Sequence, residues 1–140
     1  MYQKIIIAGN LGKDPEMRYA PNGDAVTSFS VATSRKYTDK GGQKVEETTW
    51  FRVSVWGKQA ETCNQYLKKG KQVLVEGRLI ADKATGGPKI WTRQDGTAGS
   101  SFEITAESVR FLGGPRDDAG GGSGGSMMHD APVDEENIPF

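Results

Sequence analysis

Three tryptophans carry the most informative chemistry in this chain. Two of them fall in Thr49–Trp56, which reads TWFRVSVW. Successive side chains of an extended strand point to opposite faces. Phe51, Val53 and Val55 therefore share one face, and Trp50, Arg52, Ser54 and Trp56 share the other. The first set makes a core stripe. The second puts two indoles and a guanidinium where a strand facing plain solvent carries small polar groups. Aromatic rings with an interleaved cation suit unpaired nucleic acid. Every base has a π-face, each stacked base is worth about 1–3 kcal/mol, and Arg adds cation–π and phosphate contacts. The same logic recurs in Lys89, Trp91 and Arg93, which alternate within Ala84–Gly99, and in the group Arg35, Lys36, Tyr37 and Lys40, expected on the loop at the tip of the hairpin between strands 2 and 3. Two alternatives stay open for the rings: stacking on a ligand, or burial against another part of the domain or a second subunit. The Lys residues equally suit a solvated loop.

Other chemistry finds little support. Metal-assisted phosphodiester cleavage needs clustered carboxylates or histidines. Here the acids of the first 112 residues are scattered, and His129, the only histidine, lies outside them. No Gly-rich phosphate loop precedes a helix. No catalytic residue, metal or cofactor is expected. Cys63 is the only cysteine, so no intramolecular disulfide can form, which fits a reducing compartment.

The formal net charge is zero, but it divides sharply. Residues 1–112 hold 17 Lys/Arg against 12 Asp/Glu, a net +5, and residues 113–140 hold one Arg against six acids, a net −5. A basic body with an acidic arm is a nucleic-acid pattern. No stretch approaches the roughly 18 apolar residues of a membrane span. The apolar run near Met1 breaks at Gly9, too early for a signal h-region. A cytoplasmic protein with no membrane partner is expected.

The elements that position these residues read mostly as strands. Lys4–Gly9, Ala25–Arg35, Thr48–Trp56, Gln72–Ile80 and Ser101–Phe111 are β-branched or alternating runs bounded by turn residues. Phe29 and Val31 share one parity, as do Val73, Val75 and Leu79. Asn10–Pro15 reads as a turn. Lys58–Leu67 breaks the pattern, with Ala60, Cys63 and Leu67 at helical spacing and Lys68–Lys69–Gly70 as a basic last turn and cap. Five strands with one helix between the third and fourth predict an all-β, five-stranded OB-fold Greek-key barrel over residues 1–112. Ala84–Gly99 then falls in the loop between strands 4 and 5, a ligand-binding loop of that fold, and reads as a protruding hairpin with its centre at Lys89–Arg93. Residues 113–133 read as a flexible Gly-rich linker, so a disordered tail is expected from about Gly113.

Gly9-Asn10-Leu11-Gly12-Lys13-Asp14-Pro15-Glu16-Met17-Arg18-Tyr19, followed by Pro21-Asn22-Gly23, resembles the opening of bacterial single-stranded DNA-binding proteins. Phe29–Ser34, Thr49–Lys58, Tyr66–Gly70 and Val75–Leu79 are similar to later segments of that family. The resemblance covers all of 1–112. It implies a homotetramer of OB-folds that wraps single strands over aromatic side chains, binding and protecting single-stranded DNA during replication, recombination and repair. Trp50 matches a stacking Trp of the family. Trp56 stands where many members have Phe, and Tyr37 where some have Trp. Trp91 lies in the hairpin that carries another stacking Trp, although Ala84–Gly99 differs in length and sequence from the best-known pattern. DNA rather than RNA is implied only by the resemblance, since stacking alone does not read the 2′-OH. An RNA-binding or adaptor OB protein is the alternative.

The last seven residues, Asp134, Glu135, Glu136, Asn137, Ile138, Pro139 and Phe140, resemble the acidic, Ile-Pro-Phe-ended tip of the same family. An aromatic ring beside a carboxylate suits a basic-rimmed apolar pocket on a partner. The acids steer the encounter, and Pro139 holds the residue before it extended. The tip is therefore expected to recruit replication, recombination and repair proteins. The opposed charges also suggest that the tail competes with DNA for the basic face.

Overall fold

A computed structural model describes residues 1–113; the linker from residue 114 and the acidic tip 134–140 lie outside the described residues. The elements are β1 (Ile5–Leu11), β2 (Glu16–Tyr19), β3 (Ala25–Thr38), β4 (Lys44–Trp56), α1 (Lys58–Tyr66), β5 (Gln72–Ile80), β6 (Lys89–Thr92) and β7 (Ala98–Phe111). Hydrogen bonding runs β1-β5-β7-β4-β3, and β3 returns to β1 at Asn10↔Ala32 and Leu11↔Val31. Those five strands close the expected barrel. β4 and β7 run parallel while the other barrel pairs are antiparallel, the mark of the Greek-key crossover. β2 adds to the outer edge of β3, and β6 forms a hairpin with the start of β7.

Alternation builds the interior. Ile7, Leu11, Phe29, Val31, Val53, Val55, Val73, Val75 and Ile104 point inward and are buried. α1 closes one end with Ala60, Cys63 and the following Leu67. Burial pushes the Cys63 thiol up to about 11, so this side chain behaves as a small apolar group. The barrel also needs two bare backbones. A Cβ on Gly9 would run into the Ala32 carbonyl, and one on Gly77 into the Thr105 carbonyl.

Thr27 is a buried polar residue of β3, and its hydroxyl donates to the Ala60 carbonyl at 2.6 Å. That bond ties the helix to the barrel. Thr27→Val keeps the shape and removes the donor, so urea unfolding is expected to show a loss of about 1 kcal/mol, the net worth of one such bond. No change would mean that packing alone seats the helix.

Several elements depart from the sequence reading. β1 continues through Leu11, because Asn10 and Leu11 are the pair that closes the barrel. β2 was hidden by its shortness and lack of apolar alternation. β3 and β4 extend to Thr38 and back from Lys44, so Arg35, Lys36 and Tyr37 lie in a long ribbon whose tip is Asp39–Gln43, not in a loop. Past Gly77, β5 has no β1 neighbour and its register with β7 shifts, so Leu79 is 40% exposed rather than core. The helix stops at Tyr66 with Leu67 extended, so Lys68 and Lys69 do not form its last turn. Competing bonds explain the stop: the Lys69 amide donates to Asp14 Oδ1 at 2.9 Å and the Gly70 amide to the Leu11 carbonyl at 2.8 Å.

Candidate nucleic-acid interface

The face opposite the core stripe of β4 is open. Trp50 is 53% and Trp56 46% exposed, with Arg52 exposed between them. Five strand residues lie between the two indoles, and the six steps from one to the other span about 20 Å. The register extends this face sideways. Residues directly opposite across a strand pair share a side of the sheet. Trp56 pairs with Val26 and Val26 with Arg18, so Arg18 of β2 joins the row of Trp56. Arg52 pairs with Ser30 on one side and Glu103 on the other. Through β7, Glu103 shares its side with Ser101 and Gly99, which pair with Lys89 and Trp91.

Each ring is backed by protein. The Trp50 indole lies across Gly12, at the end of β1, where a Cβ would collide with it. The Gly12 amide is fixed by the Ser30 carbonyl at 3.1 Å. Trp91 lies across Gly99, where a Cβ would meet the ring at 2.7 Å. The Arg93 guanidinium sits over the Trp91 ring at 5.1 Å from its centroid and donates to the Ala98 carbonyl at 2.6 Å. The turn beyond is set by Asp95, whose Oδ1 accepts from the Thr97 amide and hydroxyl; these bonds hold its carboxyl below the usual range. Trp91 remains 46% exposed. Arg52, Lys89 and Trp91 meet in one shallow groove.

The ribbon extension behaves differently. Tyr37 pairs with Val45 and shares the parity of Phe29 and Val31, so it lies on the opposite side of the pleat from Trp50. Arg35 stacks over its ring at 4.8 Å. The Tyr37 hydroxyl donates to Glu47 at 3.1 Å, and that carboxylate holds the phenol above its ordinary value. Lys36 pairs with Glu46 on the Trp50 side. Trp50, Arg52, Trp56, Lys89 and Trp91 thus form one surface, with Arg93 over Trp91, while Tyr37 and Arg35 sit apart.

Sequence reasoning missed Arg18, Gly12, Gly99 and Glu103. Arg18 and Glu103 join the face only through strand pairing. Gly12 sits in the quoted GNLG run, a detectable signal for close backbone approach. Among the described residues, no group of three His, Cys, Asp or Glu side chains is placed to hold a metal. A half-exposed aromatic surface threaded with cations, and flanked by the loops after β1 and β5, can stack bases and neutralise phosphates.

The profile described as the Single-strand binding protein family matches residues 2–112. The chain belongs to that family. Among its relatives are the single-stranded DNA-binding proteins of Neisseria meningitidis serogroups A and B, each 44% identical over 118 residues, covering 84% of this chain and 64% of the relative. The chain therefore spans less than two thirds of the length of those relatives. The single-stranded DNA-binding protein of Wolinella succinogenes is 39% identical over 125 residues, covering 89% of this chain and 70% of the relative. Among solved structures, a deletion variant of the single-stranded DNA binding protein from Thermus aquaticus superposes with a TM-score of 0.64 at 31% identity, covering 81% of this chain and 52% of that one. The Plasmodium falciparum SSB, solved in complex with ssDNA, gives 0.66 at 25% identity, covering 81% and 97%. In this family member the barrel, the helix position and the β6–β7 hairpin all fall within the matched residues.

Proposed function

We propose that this chain binds and protects single-stranded DNA with little sequence preference. The surface of Trp50, Arg52, Trp56, Lys89, Trp91 and Arg93 carries the contact, with Arg18 beside it and Tyr37, Arg35 and Lys36 on the ribbon as an outlying arm. The observation that carries the reading is the placement of three half-exposed indoles on one continuous face of a basic barrel. Family membership supports it, as does the likeness to a chain solved with ssDNA. Stacking uses the π-face common to all bases, so affinity comes without sequence readout.

The same proposal includes a homotetramer, a cytoplasmic, nucleoid-associated location, and roles in replication, recombination and repair. The tip from Asp134 to Phe140 recruits partner proteins, and the acidic tail competes with DNA for the basic face. Displacement of a labelled oligo-dT by unlabelled competitors tests the core of this reading. Single-stranded DNA is expected to displace the label at far lower concentration than duplex DNA of the same length. Equal displacement by duplex would contradict it, and stronger displacement by RNA would favour the RNA-binding alternative. Deleting residues 127–140 is expected to tighten oligo-dT binding at low salt, where the tail's charge is least screened. Unchanged affinity there would remove the tail's competitive role.

A further inference from the structure

The groove between β4, β6 and β7 differs in charge from the domain around it. Its cations are Arg52 and Lys89, and its carboxylates are Asp82 and Glu103, so it is neutral within a domain of net +5. A phosphate, which offers only acceptors, gains little by entering such a site. A nucleobase offers both donors and acceptors on its edge and an apolar face besides. The groove matches that chemistry: Trp91 and Ile90 supply apolar wall, Arg52 and Lys89 donate, and the carboxylates accept.

The two carboxylates are not equivalent. Asp82 Oδ1 already accepts the amides of Ala84 and Thr85, at 2.8 and 3.1 Å, and so caps its own turn. Glu103 stands on β7 opposite Arg52, with its side chain about four-fifths buried and the Lys89 ammonium at 3.5 Å. A carboxylate offers about four lone-pair sites. One lysine at that distance leaves acceptor capacity on a side chain that lines the groove.

We propose that this groove seats a base whose exocyclic amino group donates to Glu103, so that amino-bearing bases bind there in preference to thymine. The inference rests on the single-strand reading given above. The chemistry is that of a carboxylate accepting from the cytosine 4-amino group; thymine presents a carbonyl at the same place and is repelled. Lys89 fixes the orientation of Glu103 and offsets its charge, so the acid does not expel the strand. The result is a local bias for amino-bearing bases on a surface that otherwise tolerates any base.

The test compares oligo-dC with an oligomer of the same length carrying 2-pyrimidinone, a cytosine lacking its 4-amino group. The unaltered protein is expected to bind oligo-dC about fivefold to tenfold more tightly, the scale of one good base-edge contact. Glu103→Leu is expected to abolish that difference. The comparison on the unaltered protein needs no variant, so it stands even if Glu103→Leu does not fold. Equal affinity of the unaltered protein for the two oligomers would overturn the inference. So would a difference that survives in Glu103→Leu, or a variant that merely tightens both oligomers equally, which would make Glu103 only the partner of Lys89. If the unaltered protein bound no oligomer at all, the single-strand reading itself would fall, and this inference with it.

Discussion

Replacing Trp50 and Trp56 together by Ala is expected to weaken oligo-dT binding by about 2–6 kcal/mol, two stacked bases at about 1–3 kcal/mol each. On the affinity scale that is a loss of roughly 30-fold or more. The fold should survive, because both indoles lie outside the barrel core and Phe51, Val53 and Val55 keep their places on the other face. Trp50 also covers Gly12, so some of its loss comes from an unbacked loop rather than a missing stack. Trp50→Phe with Trp56→Phe separates the two effects, since Phe keeps a π-face and should retain most of the affinity. Isothermal titration on both double variants measures this. An Ala double variant that binds as well as the parent would make the rings structural and move the DNA path elsewhere.

The second large effect falls on the scaffold. Gly77→Val is expected to cost about 4 kcal/mol or more, enough to unfold a domain of ordinary stability. Gly77 is buried where β5 crosses β7, and any Cβ there meets the Thr105 carbonyl, a backbone atom that cannot swing aside. Moving β7 would also disturb Ile104 in the core and Glu103 beside Arg52. The β-branched Val adds two methyl groups to a site with no room for one. Gly87→Ala is the control. Its nearest neighbour is the Thr85 hydroxyl at 3.6 Å, and a change within about 0.5 kcal/mol is expected. Circular dichroism with urea unfolding reads both. A cooperative transition near the parent's for Gly77→Val would mean that the strands can part without loss.

The barrel strands and the sides of Trp50 and Trp56 could be read directly, because alternation is a one-dimensional signal. Val53 and Val55 went inside as their parity required, and Trp50, Arg52 and Trp56 went outside. What pairing alone decides was not legible. Arg18 joins Trp56 through two successive strand pairs, and Glu103 meets Arg52 across the parallel β4–β7 contact. Neither neighbour follows from spacing along the chain. The outer ribbon, from Lys36 to Thr38 and Lys44 to Glu47, was obscured for a different reason: mostly exposed on both sides, it leaves no apolar rhythm to read. Leu79 misled because parity persists in a strand after its cover has ended. The site was therefore legible as residues, but its assembly into a surface came from topology.

Intrinsic tryptophan fluorescence, titrated with oligo-dT at several salt concentrations, tests the central claim most directly, because the chain's three tryptophans are the three indoles of the proposed surface. Strong quenching is expected on binding. The logarithm of the affinity should fall linearly with the logarithm of salt, with a slope of about −0.7 per phosphate neutralised. Absence of quenching by oligo-dT, together with binding to duplex DNA, would contradict the account.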